Sequence, residues 1–147
     1  MSNNQIQLFD TKSRKLQIVE SSDGNSLRIY SCGPTVYRDA HVGNMRTFLL
    51  GDLITRLAKH SGYQVKFIQN ITDVGHMSED FVEDKILAQA KAEAKDPYEV
   101  AKFYESRFHQ DLKSLNINAA DLYPKASDCI PLMHDLIKKL IDTDHAY

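Results

Sequence analysis

A strand–helix–strand pattern between residues 27 and 72 is the feature of this sequence that most constrains its fold. Residues 27–32 are rich in β-forming side chains, and the run ends at Pro34 because proline cannot donate a hydrogen bond to a sheet. Residues 64–71 alternate and then become mostly apolar, which predicts a second strand. Two strands joined by one helix predict parallel pairing through a right-handed crossover.

The segment between the two strands predicts an amphipathic helix. It begins after Asn44, runs to about His60, and is followed by Gly62 at a C-cap position. Apolar residues recur at every fourth position and predict a face of Met45, Leu49, Leu53 and Leu57, flanked by Phe48 and Ile54.

The rest of the chain predicts a hairpin before this unit and helices after it. Two apolar-alternating stretches in residues 1–26 predict a β-hairpin, the strand–helix–strand unit occupies 27–76, and residues 77–147 are helical in pattern. The sequence therefore predicts one α/β domain over 1–147, an incomplete Rossmann-like fold with parallel strands.

Three helices are predicted in the C-terminal half. The first spans Ser78 to Lys95, and the second starts with Asp96 as N-cap and Pro97 at its first position. A loop from Asn116 to Pro124 separates the second helix from the third. The predicted buried side of the second helix is Val100, Phe103, Tyr104, Phe108, Leu112 and Leu115, and the apolar positions of the third are Ile130, Met133, Leu136, Ile137 and Leu140.

Charge and cysteine content exclude several classes of protein. The 18 Lys and Arg against 20 Asp and Glu give a formal charge of -2, so the chain lacks a basic field that binds nucleic-acid backbone by itself. Cys32 and Cys129 form no CxxC pair, and the N-terminus has no signal-peptide pattern. No apolar run approaches the roughly 20 residues of a membrane helix. We therefore expect a cytoplasmic protein with reduced thiols and no membrane contact.

The motif His41-Val-Gly-Asn44 lies where the first strand gives way to its helix, the edge at which open α/β sheets bind ligands. Free N–H groups and the positive dipole end at a helix start favour phosphate. Gly43 permits close approach, and the His41 and Asn44 side chains can donate hydrogen bonds to phosphate oxygens. The alternative is a turn histidine followed by a glycine and an N-cap asparagine.

Other chemistry-bearing side chains stand at the two strand ends. Cys32 ends the first strand, where a lone cysteine is usually a small core residue. Thr72 and Asp73 end the second strand, where short polar side chains commonly bond to nearby backbone. A metal pair of Asp73 with His76 is the less favoured interpretation.

Several separate motifs occur in the order and at the separations of one known family. The run 32–37, with the sequence CGPTVY, precedes the His41–Asn44 motif, and the run 70–73, with the sequence NITD, follows it. With these motifs the whole chain resembles the N-terminal half of the cysteinyl-tRNA synthetase family, whose fold is of the HUP type. Further matching segments are 83–86, 115–117 and 123–126.

The resemblance implies roles for the helix-start motif. His41, Gly43 and Asn44 match the HIGH signature of class I synthetases, here with Val and Asn in the second and fourth places. They would bind ATP, which enters as its magnesium complex. His41 and Asn44 would take part in catalysis.

The resemblance also implies roles at the strand ends. Cys32 matches a cysteine that binds zinc, and zinc would recognise the thiol of the amino acid as thiolate. Gly33 and Thr72 match positions that contact the same substrate. The other zinc ligands of the family are expected beyond residue 147.

The implied activity is that of a cysteine–tRNA ligase, which activates cysteine with ATP and transfers it to tRNA(Cys). The family's KMSKS loop and anticodon-reading domain belong to its C-terminal regions, through which it would also contact tRNA. We therefore expect a truncated chain that does not aminoacylate alone and has no tight zinc site. Missing strands further predict an exposed sheet edge and self-association through it.

Three alternatives remain open. A cysteine ligase that acts on an amino sugar, as in mycothiol synthesis, shares the cysteine and the HIGH-like motif. A non-enzymatic paralogue would bind a nucleotide or a partner protein only. A nucleotidyltransferase with an HxGH signature also binds ATP at a strand-to-helix turn, but it does not need Cys32.

Overall fold

The structure is a computed structural model that describes residues 6–21, 23–75, 84–118 and 120–147. Within these ranges, none of the helices combines the length and the apolar character that a membrane span requires. The elements in chain order are β1 (Gln7–Asp10), β2 (Lys15–Ile18), β3 (Ser26–Ser31), α1 (Val42–His60), β4 (Gln64–Gln69), α2 (Lys85–Glu93), α3 (Pro97–Ser114) and α4 (Ala126–Asp142).

Strands β3 and β4 pair in parallel, which confirms the strand–helix–strand prediction. Their register runs from Ser26 opposite Gln64 to Ser31 opposite Gln69, and α1 connects them. Strands β1 and β2 form the predicted antiparallel hairpin, with Phe9 opposite Leu16. The α/β fold class is therefore confirmed.

Residues 121–126, which have no regular strand geometry, pair with the edge of β4 that is not paired with β3. The amide of Gln69 donates to the carbonyl of Leu122 at 3.1 Å, and the amide of Ile71 donates to Pro124 at 2.9 Å. The bridges in this region are parallel. The prediction of a plain loop up to Pro124 therefore missed a third, irregular strand. Its ladder is interrupted because proline has no N–H to donate.

Only part of the predicted apolar face of α1 is buried, namely Met45 and the flanking Phe48. Leu49, Leu53 and Leu57 are exposed, whereas the small residues Gly51 and Ala58 are buried. A Cβ added to Gly51 would lie 3.2 Å from the ring of Phe67 on β4, so this part of the helix approaches the sheet too closely for a large side chain. The full set of buried α1 residues is Met45, Phe48, Gly51, Asp52, Thr55 and Ala58.

A buried carboxylate lies on the same face of α1. Asp52 accepts a hydrogen bond from Arg56 Nε at 2.7 Å and another from the Asn118 amide at 3.0 Å. Arg56 in turn donates to the carbonyl of Asn116 at 2.6 Å. These bonds tie the segment after α3 to α1. A hydrophobic pattern does not reveal them because a charged residue interrupts the apolar stripe.

Helix α3 begins at the predicted cap, and Val100, Phe108 and Leu112 of its predicted buried side are buried. Asp96 caps α3, as predicted, by accepting hydrogen bonds from the amides of Tyr98 and Glu99. Helix α2 ends at Ala94, which has a left-handed backbone conformation. The predicted first helix began at Ser78, and its residues 78–83 lie outside the described part of the chain. On α3, Phe103 and Leu115 are about half exposed, contrary to prediction.

Two core clusters hold the molecule together. The larger one joins α1, α2 and α3 to the segments that follow β3 and β4, and the smaller one joins the N-terminal residues to the sheet. The apolar residues of α4 are exposed, in keeping with the absence of buried residues on that helix. The larger cluster contains Val36, Met45, Phe48, Ile71, Ile86, Ala101, Phe108, Leu112 and Ile117, and the smaller one contains Ile6, Leu27 and Ala58.

Candidate functional site

The first site element is the start of α1, where His41 is the N-cap. Its Nδ1 accepts hydrogen bonds from the amides of Gly43 and Asn44 at 3.0 and 3.4 Å. The Asn44 side-chain oxygen accepts from the His41 amide at 3.2 Å, which completes a capping box. The helix thus begins at Val42, and the alternative in which Asn44 is the N-cap is wrong.

This cap decides which groups are left for an anion. The amides of Gly43 and Asn44 are already occupied by His41, contrary to the expectation of free N–H groups at these two positions. Because Nδ1 accepts, the neutral imidazole carries its proton on Nε2, and Asn44 keeps its Nδ2 protons. The first turn contains no acidic residue, so the positive end of the helix dipole is not neutralised by a neighbouring carboxylate.

The lack of a side chain at Gly43 is explained by a steric contact within the first turn of α1. A Cβ at this position would lie 2.9 Å from Cε1 and 3.0 Å from Nδ1 of His41. The missing side chain therefore lets the imidazole fold over the first turn and reach two amides. This contact explains the glycine without reference to a ligand.

The second site element is the pair of strand ends after β3 and β4. The amide of Thr72 donates to the carbonyl of Pro34 at 3.0 Å, and the amide of Val36 donates to the carbonyl of Thr72 at 3.1 Å. Parallel pairing thus continues beyond the regular strands. It brings the segments that carry Gly33 and Thr72, both predicted substrate contacts, to one edge of the sheet.

Gly33 lies against the backbone of the neighbouring strand end. A Cβ built on it would lie 1.6 Å from the carbonyl oxygen of Asn70, a distance that no side-chain rotation can relieve. Its amide donates to the Asn70 side-chain oxygen at 2.9 Å. Glycine is therefore required here by close packing of two backbones.

Cys32 immediately precedes this contact and carries an exposed free thiol. The alternative of a small core cysteine is wrong. Its carbonyl accepts from the side chain of Gln69 at 3.3 Å, which ties the backbone of this exposed residue to β4. The thiol is therefore accessible to a ligand.

A cleft of about 200 Å³ follows the loop between Gly33 and Asn44. The predicted site residues Cys32, His41, Gly43 and Thr72 are not among the residues that line it. Gly33 lies at its strand end and Asn44 at its helix end, and Tyr104 and Phe108 of α3 form the facing wall. Asp39 pairs with Arg107 of α3, which links the loop before His41 to that wall. The remaining lining residues are Pro34, Thr35, Val36, Tyr37, Arg38, Asp39 and Ala40.

The described residues do not complete a zinc site. No group of three or more His, Cys, Asp or Glu side chains within the described ranges is placed to hold a metal. A structural zinc needs four ligands and a catalytic zinc needs three, of which the predicted ligand Cys32 would supply one. His76, the proposed partner of Asp73, lies outside the described residues.

The Asp73 side chain instead caps the start of α4. Its carboxylate accepts hydrogen bonds from the amide of Ser127 at 2.9 Å and from the Ser127 hydroxyl at 2.5 Å. The formal N-cap, Lys125, makes no side-chain capping bond. A carboxylate from a distant strand end therefore satisfies a free amide in the first turn of the helix.

We predict that Asp73→Ala loosens the start of α4. Loss of two bonds to a charged acceptor is expected to cost about 2 kcal/mol of unfolding free energy. Urea unfolding measures this loss, and amide exchange locates it at residues 126–130. Asp128→Ala is the control, because Asp128 is exposed in the same turn and its removal weakens only the dipole interaction. Equal losses in the two variants would contradict the capping role.

Comparison with known families identifies the family of the chain. Residues 18–147 match the family described as tRNA synthetases class I (C) catalytic domain. The chain belongs to this family. The recognition and the Rossmann-like fold implied by the motifs are thereby confirmed.

The class I (C) synthetase chain is also similar to curated cysteine–tRNA ligases. It is 39% identical over 144 residues to that of Chlorobium chlorochromatii and 41% identical over 142 residues to that of Chlorobium luteolum. With the ligase of Thermus thermophilus it shares 39% identity over 142 residues. These alignments cover 97%, 95% and 95% of this chain, and 30%, 29% and 30% of the relatives, so the chain spans less than a third of their length.

Sequence reasoning gives no separate role to one residue of this candidate site. Asn70 lies within the run 70–73, and its side chain bonds to both predicted substrate-contact segments. A polar residue directly after a buried strand and two positions before Thr72 was the available signal. Which groups its amide would reach depended on the pairing of β3 with β4, which the motif alone does not specify.

Proposed function

We propose that this chain supplies the ATP- and amino-acid-binding part of a cysteine–tRNA ligase. The observation that carries the proposal is a cleft that extends from Gly33, which follows the exposed residue Cys32, to Asn44 at the capped start of α1. Similarity to cysteine–tRNA ligases over almost the whole chain supports the same assignment.

The proposed reaction has two steps. In the first, an oxygen of the cysteine carboxylate attacks the α-phosphorus of ATP, and the bond to the β-phosphate oxygen breaks to release pyrophosphate. In the second, a hydroxyl of the terminal adenosine of tRNA(Cys) attacks the carbonyl of cysteinyl-adenylate and AMP leaves. Catalysis of this kind depends on alignment and on stabilisation of phosphate charge.

His41 and Asn44 would supply part of that stabilisation. The Nε2 proton of His41 and the Nδ2 protons of Asn44 would donate to phosphate oxygens of ATP, and the helix dipole would add to the attraction. The capping box holds both side chains against the first turn of α1. Their donors would therefore be oriented before ATP binds.

Gly33 lines the other end of the cleft, and it would contact the amino acid there together with the neighbouring Cys32 and Thr72. Zinc recognition of the substrate thiol stays a prediction, because the described residues provide one ligand, and no step is assigned to the metal. Self-association through the sheet edge, a cytoplasmic location and dependence on further C-terminal regions likewise stay predictions.

The experiment is cysteine-dependent exchange of labelled pyrophosphate into ATP. It is run on this chain and on a chimera in which the chain replaces the matching segment of the Thermus thermophilus relative. We expect exchange in the chimera, and charging of tRNA(Cys) rather than of an amino sugar. A chimera that folds and binds ATP without cysteine-dependent exchange would contradict the proposal and favour a non-enzymatic nucleotide-binding protein.

A further inference from the structure

We propose that Asn70 is a positioning residue that sets the geometry of the amino-acid end of the cleft, an inference that rests on the proposed ligase function. Its side-chain oxygen accepts hydrogen bonds from the Tyr30 hydroxyl and from the Gly33 amide, both at 2.9 Å. Its Nδ2 donates to Thr72 Oγ1 at 3.0 Å. One side chain therefore joins β3, the loop after it and the end of β4.

The partners fix which way the amide points. The Gly33 backbone offers only an N–H, so the side-chain oxygen of Asn70 must face it and Nδ2 must face Thr72. Both lone pairs of that oxygen are then used, by Gly33 and Tyr30. An aspartate at this position could keep these two acceptor bonds but could not donate to Thr72.

Asn70 holds the residue next to Cys32 in two ways. Its side chain binds the Gly33 amide, and its backbone carbonyl lies in the space that a Gly33 side chain would need. Because Gly33 follows Cys32 directly, these contacts restrict where the thiol can be presented. Asn70 therefore supports both Cys32, the position predicted to recognise the thiol, and Gly33, a predicted substrate contact.

Asn70 also sets the direction in which the Thr72 hydroxyl can donate its proton. Since Thr72 Oγ1 accepts from Nδ2, the hydroxyl proton of Thr72 is directed away from Asn70. That proton is left to donate to an acceptor outside this group of residues. A substrate carboxylate or carbonyl oxygen has the matching chemistry.

The first test measures the support without any substrate. In Asn70→Ala, loss of one hydrogen bond of ordinary strength should speed amide exchange at Gly33 about tenfold in this chain, as read by NMR. The amide of Val36, which donates to a backbone carbonyl, is the internal reference. Unchanged exchange at Gly33 would overturn the proposed support.

The second test separates substrate positioning from general stability. In the chimera, Asn70→Ala should raise KM for cysteine about tenfold while KM for ATP changes by less than about twofold. Asn70→Asp should restore the slow exchange at Gly33 but not the KM for cysteine, because it turns the Thr72 hydroxyl toward itself. Equal changes in both KM values would overturn the positioning role.

The two hypotheses fail in different ways. If the unsubstituted chimera showed no pyrophosphate exchange, the ligase function would be contradicted, and the role of Asn70 in positioning the substrate would be contradicted with it. Protection of the Gly33 amide by Asn70 would still be decided by the first test, which uses no substrate.

Discussion

Replacement of Gly33 by alanine is expected to cost about 3 kcal/mol or more of unfolding free energy, at the upper end of what overpacking causes. The added Cβ would lie 1.6 Å from the carbonyl oxygen and 2.8 Å from the carbonyl carbon of Asn70. Both are backbone atoms, so the two strand ends would have to separate. Separation would also break the 2.9 Å bond from the Gly33 amide. Urea unfolding of this chain measures the effect.

Gly24→Ala is the matched control for that substitution. Gly24 has a φ of +73° and no atom within 4 Å of an added Cβ, so its replacement carries a backbone cost of about 1 kcal/mol without a clash. If Gly33→Ala cost no more than Gly24→Ala, close approach of the strand ends would not be the reason for the glycine.

His41→Ser is expected to lower the pyrophosphate exchange rate of the chimera about 100-fold or more, as loss of one oriented donor does in other active sites. Serine retains an oxygen that can accept from the first-turn amides, so we expect its unfolding free energy to change by less than about 0.5 kcal/mol. His41→Ala should lose the same activity and about 1 kcal/mol of stability as well. Exchange kinetics and urea unfolding on the same samples separate the two roles.

Asp96→Ala provides the control for loss of a cap. Asp96 caps a different helix, α3, with two hydrogen bonds and lies outside the His41–Asn44 motif, so its replacement should cost about 1 kcal/mol without slowing pyrophosphate exchange. A His41→Ser chimera with normal exchange would show that His41 acts only as a helix cap.

The sequence predicts the segments of the candidate site but not its atomic contacts. The HIGH-like motif and the strand-end cysteine occupy the two sides of one strand-to-helix junction, as their order along the chain predicts. The hydrogen bonds that each side-chain atom makes could not be predicted in the same way. The sequence predicts that the His41 side chain donates to phosphate, but it does not reveal that Nδ1 is committed to the capping box, because the conformation before the helix lets Nδ1 reach two amides.

Local patterns by themselves determined the order of the elements, the parallel pairing of β3 with β4 and the Asp96 cap of α3. These features depend on residues within a few positions of each other or on the general handedness of strand–helix–strand units. Only the tertiary structure decided that the small residues of α1 face the sheet and that the segment before α4 adds to β4. It also decided that Asn70 joins Gly33 to Thr72. Gly33 and Asn70 are 37 positions apart, and contacts at that separation depend on how closely packed backbones meet, which periodicity does not encode.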